Sequence, residues 1–349
     1  MVDTMALLRA FIRRTRMARS SSDLAAGLPA DGEVLLDAPD EHLAPALVAA
    51  ARGDHGPAAK LLAATRETAE WEDRDRYVTR LAGFARSRGE WFTEWCAVAP
   101  DGPDALLVKA ELALTRAWES PERAELLRRT GSLITAACEA DPRDPVPWRV
   151  ALDHARGTAA GHREFERLWG EAVHRSPHHY GCHVAALRYL ASSWRGSHSE
   201  CLDFAETAAQ DALPGSLVQA LPLRAAFTCL ADGGGAVVGR DRLDAAADRA
   251  IALSALYEAA DPWPAEVRNL LTFVLVRLER WEEALTQLRM IGPYATSFPW
   301  ERVGDDPLGL FLQLRESVCH EVPSRRVPRS AGPLLPRSGR AGSTSARAH

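Results

Sequence analysis

A chain of 349 residues with 46% apolar side chains holds enough hydrophobic material for one large domain or two ordinary ones. Its low aromatic content, 7%, and abundant alanine favour closely packed helices over a β-sandwich. The net charge of −5 is unevenly placed, with five arginines and one acid in residues 1–20, six arginines and no acid in residues 322–349, and an acidic body between; that distribution argues against a nucleic-acid binder, which needs a basic folded surface.

Every long apolar stretch is cut by charge, as by Arg224 within Leu217 to Leu230, so no transmembrane span is expected. The patch Ala6 to Ile12 is too short and arginine-interrupted for a secretory signal. Six cysteines (96, 138, 182, 201, 229 and 319) lack C-x-x-C spacing and read as free thiols of a reducing cytoplasm. Forty arginines against Lys60 and Lys109 point to genomic base composition rather than to arginine-specific recognition.

Residues 1–20 hold an amphipathic basic helix over 4–19, with Met5, Leu8 and Ile12 on one side and Arg9, Arg13 and Arg16 on the others. Its stripe is too short to hold a membrane alone, so a frayed helix docked on the body is expected. Residues 21–39 form a polar connector, with strand character limited to Glu33 to Leu36 and, later, Ala236 to Val238. From residue 40 helices follow one another across brief turns. The same join recurs at Arg52-Gly53-Asp54-His55-Gly56, at Arg86-Ser87-Arg88-Gly89-Glu90 and at Arg277-Leu278-Glu279-Arg280 before Trp281. Prolines 100, 142, 177 and 214 close successive units 42, 35 and 37 residues apart. Proline suits a first turn but not a helix interior. An all-helical chain with a period near 34 to 45 residues indicates an α-solenoid, in which each hairpin buries its stripe on its neighbours.

Trp281-Glu282-Glu283-Ala284-Leu285 after Leu278-Glu279 resembles the turn and second-helix opening of a tetratricopeptide repeat. Arg163 to Trp169 with Ala172 and Pro177 is similar to a second helix and its closing proline. The likeness covers roughly residues 40–320, although no copy has the full tryptophan, leucine-glycine, tyrosine, alanine, phenylalanine, alanine, proline series. Pro177-His178-His179-Tyr180 and Trp194-Arg195-Gly196-Ser197 also resemble a bacterial domain-of-unknown-function family, which implies no activity. The expected organisation is TPR-like hairpins over 40–232, a Gly-rich loop over 233–239, further hairpins over 240–320 and a disordered Arg-rich tail over 321–349. The loop follows helix rather than strand, which a phosphate-binding loop would require.

Seven of eleven histidines lie between His154 and His198. His179 and His183, four apart on one helix, with Cys201 across the hairpin, have spacing suited to a divalent metal. Against that, no acid lies between Pro177 and His198, and His183 shares the stripe Tyr180, Val184, Leu187, Ala191, Trp194, as Cys201 shares one with Phe204, Ala205 and Ala208. Packing is therefore the expected role. Gly196 should end one helix left-handed and Ser197 with Glu200 should cap the next. Nucleophile-elbow, phosphate-loop and deaminase signatures are missing, so no catalytic residue and no cofactor is assigned. The expectation is an all-α solenoid of stacked antiparallel hairpins acting as a cytoplasmic, non-catalytic protein- or peptide-binding module. Trp148, Tyr180, Arg188 and Tyr189 are its groove-side contacts and a basic partner its match, with nucleic acid excluded and membrane contact not expected. A metal-binding protein or enzyme using the 174–201 cluster is the alternative, and a peripheral membrane protein held by residues 4–19 a weaker one.

Overall fold

A computed structural model describes residues 27–326. The proposed amphipathic helix at 4–19 and the tail beyond residue 326 lie outside the described residues. Sixteen α-helices fill most of the rest: α1 Leu43–Ala50, α2 Gly56–Thr68, α3 Trp71–Ser87, α4 Glu90–Val98, α5 Pro103–Glu119, α6 Arg123–Ala140, α7 Val146–Gly157 and α8 His162–Arg175. They continue as α9 Tyr180–Tyr189, α10 His198–Asp211, α11 Leu221–Ala231, α12 Arg240–Ser254, α13 Ala265–Arg277, α14 Trp281–Ile291, α15 Ser297–Val303 and α16 Pro307–Arg326. The expected joins fall where the sequence places them, at 51–55, 88–89 and 278–280. Gly53 turns the first at φ +91°, in the left-handed region that a Cβ disfavours.

Successive helices pack on one another, and the odd-numbered helices from α1 to α15 also form one continuous row, each touching the next odd one. Arginines tie this arrangement, many across 35 to 42 residues of sequence and some across 70 or more. Arg188 to Asp153 spans 35 residues, Arg242 to Glu206 36, Arg280 to Asp244 36, Arg149 to Glu111 38 and Arg224 to Glu266 42. Each guanidinium thus reaches the neighbouring structural unit, and the Arg-rich composition serves as a set of interhelical struts. Two hydrophobic cores result. One gathers residues from Leu43 to Tyr189, the other from Val184 to Val322 together with Val34 of the N-terminal segment.

That segment clasps the far end of the chain. Strand β1, Leu35–Leu36, pairs in parallel with β2, Tyr294–Ala295. The Asp37 carboxylate accepts from Ser297 N–H at 2.9 Å and from its hydroxyl at 2.6 Å, and faces Arg80 at 3.3 Å. Arg315 donates to Pro29 O at 2.9 Å and meets Asp31.

Several local expectations change. Gly234–Ala236 is a 3-10 turn rather than the start of a strand. The final helix runs to Arg326, past the expected start of the tail at 321, because Val318 and Val322 still find core to pack against. Gly196 is not left-handed; a Cβ there would collide with the Leu190 carbonyl oxygen, so close approach and not φ requires glycine. Ser197 caps α10 as expected, its Oγ accepting from Glu200 N–H at 3.2 Å, while the Glu200 carboxylate takes the Ser197 hydroxyl instead of the backbone N–H of a capping box.

Candidate functional site

The odd-numbered row curls tightly enough in the first half that α3 touches not only α5 but also α7 and α9. Helices two and three units apart therefore share one interior, and charged side chains fill it. Arg74, fully enclosed, sits on the apolar face of α3 with Tyr77, Val78 and Leu81 at i+3, i+4 and i+7. Its Nε donates to Asp144 Oδ2 at 2.7 Å, Nη1 to Leu62 O at 2.7 Å, and Nη2 pairs with Asp104 at 2.7 Å. Asp144 also caps α7, its Oδ1 accepting from Val146 N–H at 2.8 Å. Burial pushes the Asp144 carboxyl above the ordinary value, although Arg74 and that N–H pull the other way.

One turn along, Arg149 of α7 donates to Asp75 Oδ1 from Nε at 2.9 Å and Nη2 at 2.6 Å, and to Glu111 Oε2 from Nη1 at 2.7 Å. Burial disfavours its charge, but Asp75, Glu111 and Asp153 outweigh that and hold the guanidinium charged. A third group joins α3 to α9 and α11. The Glu72 carboxylate accepts from Tyr180 N–H at 2.6 Å, at the start of α9, where the helix dipole favours an anion. The Tyr180 hydroxyl accepts from Arg224 at 3.3 Å, and Arg224 pairs with Glu266 at 2.5 Å.

The histidines belong to this interior. His179 is the N-cap of α9: Nδ1 accepts from Cys182 N–H at 3.2 Å, which leaves Nε2 to carry the proton that it donates to Trp71 O at 3.3 Å. The Cys182 sulfur lies 3.2 Å from Nδ1, and Asp75 Oδ2 lies 3.8 Å from Nε2. Thiol, imidazole and carboxylate are thus aligned in the order a thiol nucleophile would use. The setting does not let them work that way. Cys182 has no exposed surface, burial raises its thiol above the ordinary value, and its own N–H occupies the imidazole lone pair a base would need. The line of three is a cap.

His183, Cys201 and His179 make separate contacts. His183 donates from Nδ1 to His179 O at 2.9 Å and sets its ring edge-on to Trp169, centroids 5.0 Å apart. Cys201 donates its S–H to Leu187 O at 3.6 Å. Among the described residues, no three His, Cys, Asp or Glu side chains are grouped to hold a metal ion. Of the proposed groove residues, Tyr189 is enclosed, stacked on Phe165 at 3.7 Å with its hydroxyl on Ala160 O. It presents no surface, because α9 turns that side to α7 and α8 rather than to a groove. Trp148 and Tyr180 are half-buried, Trp148 beneath the Arg175 guanidinium at 4.4 Å, and Arg188 alone of the four is exposed. A depression of about 280 Å³ lined by Glu206, Gln210, Pro222, Asp241, Arg242 and Arg249 lies between α10, α11 and α12.

Sequence reasoning missed Arg74, Asp144, Arg149, Asp75 and Glu111. The available signal was an arginine inside an apolar helical stripe, as at Arg74 and Arg149, which marks a buried ion pair in want of a carboxylate.

Two measurements test this interior. Burial raises the thiols of Cys138 and Cys201 to about 12 and the other four as well. Iodoacetamide at pH 8 is therefore expected to label half-buried Cys96 first and the five buried thiols only on unfolding, read by peptide mass spectrometry; early labelling of Cys182 would contradict the enclosed cap. Burial also lowers the pKa of His183 below 6.5, against the pull of its bond to His179 O. An imidazole depressed in the folded state contributes stability that is present above 6.5 and lost as pH falls through its folded value. His183→Gln is expected to flatten the loss of urea midpoint between pH 7.5 and 5.5, and unchanged slopes would count against this.

No family model, curated protein or solved structure matches the chain.

Proposed function

We propose that this chain is a cytoplasmic helical-repeat scaffold, a degenerate TPR-like solenoid that binds a protein partner and catalyses nothing. The observation that carries the reading is a recurring separation among the interhelical arginine bonds, 35, 36, 38 and 42 residues. A bond pattern with that period is what stacked hairpins produce, since equivalent helices of adjacent units lie side by side. The enclosed thiol supports the non-catalytic part, because a nucleophile without access has no substrate.

The filled interior changes where a partner sits. Open solenoids hold peptides in the concave face, but here α3 meets α7 and α9 across that face and Arg74, Arg149 and their carboxylates occupy it. That filling supports a binding surface at the helix ends and outer faces, among them exposed Arg188. The test is cross-linked affinity capture from the native cell with the wild type and with Arg188→Glu. A discrete set of proteins lost with the variant supports the scaffold. Turnover in a substrate screen that disappears with Cys182→Ser overturns it.

A further inference from the structure

We propose that the C-terminal ends of α5, α7 and α9 form a docking surface for an acidic peptide segment of a protein partner. This rests on the scaffold reading and names the partner's chemistry. Trp118 ends α5, and Arg156 of α7 lies over its ring at 4.1 Å with Arg123 of α6 over it at 5.1 Å. Trp194, in the turn after α9, stands edge-on to Trp118 with centroids 6.2 Å apart and is also covered by Arg156, at 5.7 Å. Arg188 joins through Asp153, which it meets at 3.3 Å while Arg156 meets the other oxygen at 3.5 Å. Arg195 follows Trp194 and donates to Ala159 O at 2.9 Å, one residue beyond the end of α7's cap.

Two guanidiniums thus cover the two indoles, and two more stand beside them on Asp153 and the Ala159 carbonyl. Asp153 is shared between two of the four through long contacts; Glu122 adjoins Arg123, and nearby Glu119 is engaged by Arg86. Arg156 is crowded enough that burial, with Arg188 and Arg123 nearby, lowers its affinity for its own proton despite Asp153. Its Nε–H is removed from water and has no acceptor. Arg123, Arg188 and Arg195 are exposed. Partial neutralisation of helix C-termini accounts for one cation per helix end, and this surface holds more than that. An incoming carboxylate would accept from the forks that Asp153 leaves free and relieve the mutual repulsion.

Two features select an acidic peptide over a nucleic acid. The indole face nearest the surface is already covered by guanidiniums, so bases have no ring to stack on. The body around the patch is acidic, so a long polyphosphate would run from attraction into repulsion, whereas a short anionic segment would not.

The experiment uses full-length protein, fluorescence anisotropy at low and moderate salt, and two labelled probes, a deca-glutamate peptide and a thymidine oligomer of equal length. The variant Arg188→Glu with Arg195→Glu alters exposed side chains only, and Arg128→Glu, exposed on α6, is a charge reversal outside the patch. The expected result is peptide binding that the double variant weakens by about tenfold or more, while Arg128→Glu stays within about twofold. Three results overturn the proposal: no peptide binding by the wild type, equal weakening by the control, or tighter binding of the oligonucleotide lost in the same variant. Absence of peptide binding with partner capture retained would remove this surface assignment and leave the scaffold standing.

Discussion

Replacing Arg74 by methionine is expected to destabilise the protein by about 3–5 kcal/mol, enough to melt the first hydrophobic core at ordinary temperature. Methionine keeps most of the volume, so little of the loss comes from a cavity. What is lost is the cation between Asp104 and Asp144, each 2.7 Å away, together with the donor to Leu62 O. Asp104 then keeps only Arg66, at 3.2 Å, and enclosed Asp144 keeps only the Val146 N–H. The pH dependence separates this cause from a packing defect. Burial already holds the Asp144 carboxyl above its ordinary value, and without Arg74 it moves higher. A carboxyl raised in the folded state takes up its proton more readily there than in the unfolded chain. The defect relative to wild type is therefore smallest at low pH, where Asp144 is protonated in both proteins, and grows as pH rises from the raised folded value of the wild type toward the higher one of the variant. Urea melts followed by circular dichroism across that range give the readout. Adding Asp144→Asn should recover part of the loss at pH 7, and a defect independent of pH would show that the guanidinium acts by shape alone.

Arg268→Met should cost a similar amount, about 3–5 kcal/mol, with no such pH dependence. This arginine is also fully enclosed, yet its bonding partners are neutral oxygens: the Ser254 hydroxyl at 3.0 Å and the carbonyls of Ser254, Tyr257 and Met290 at 3.0, 2.9 and 3.2 Å. The Ser254 and Met290 carbonyls belong to the C-terminal ends of α12 and α14, and Tyr257 lies three residues past α12. Ser254 O also accepts from Tyr257 N–H at 3.3 Å and Met290 O from Ala260 N–H at 2.8 Å, so removing the side chain withdraws a donor from four acceptors at once while those two keep a backbone partner. Burial lowers the pKa of Arg268 below the ordinary value, against Asp261, without bringing it into a range where it titrates. Equal losses at pH 5 and pH 8 are expected, and a loss confined to one of them would contradict the carbonyl account.

The helices were legible because their punctuation is local. The glycine and proline joints at Gly53, Gly89 and Pro142, and the aspartates ahead of Val146 and Pro307, act within a few residues of themselves, so pattern alone located them. The stripes that made His183 and Cys201 packed residues were readable for the same reason, and both are buried. The interior was not readable, because its bonds join residues 70, 74 and 108 positions apart, a distance set by how sharply the row of helices curls. Curl depends on small rotations accumulated over several units, and no local signal carries it. An arginine in an apolar stripe announces that a carboxylate must come, without saying from where. The same limit explains Tyr189, assigned to a groove that the curl fills, and the arginine excess, whose use as struts is invisible until the helices are side by side.

The clasp of residues 29–37 on β2, Ser297 and Arg315 has a consequence for how the molecule comes apart. Linear arrays of helical units melt inward from their ends, since an outermost unit has one neighbour instead of two. In this chain the segment ahead of α1 is bonded to the last helices, through contacts 260, 284 and 286 residues apart, and through it the two ends are joined. Fraying has no place to begin, and loss of helix should be a single cooperative event rather than a progressive one. Joining such distant segments is also entropically late in folding, so closure should be the final step of assembly.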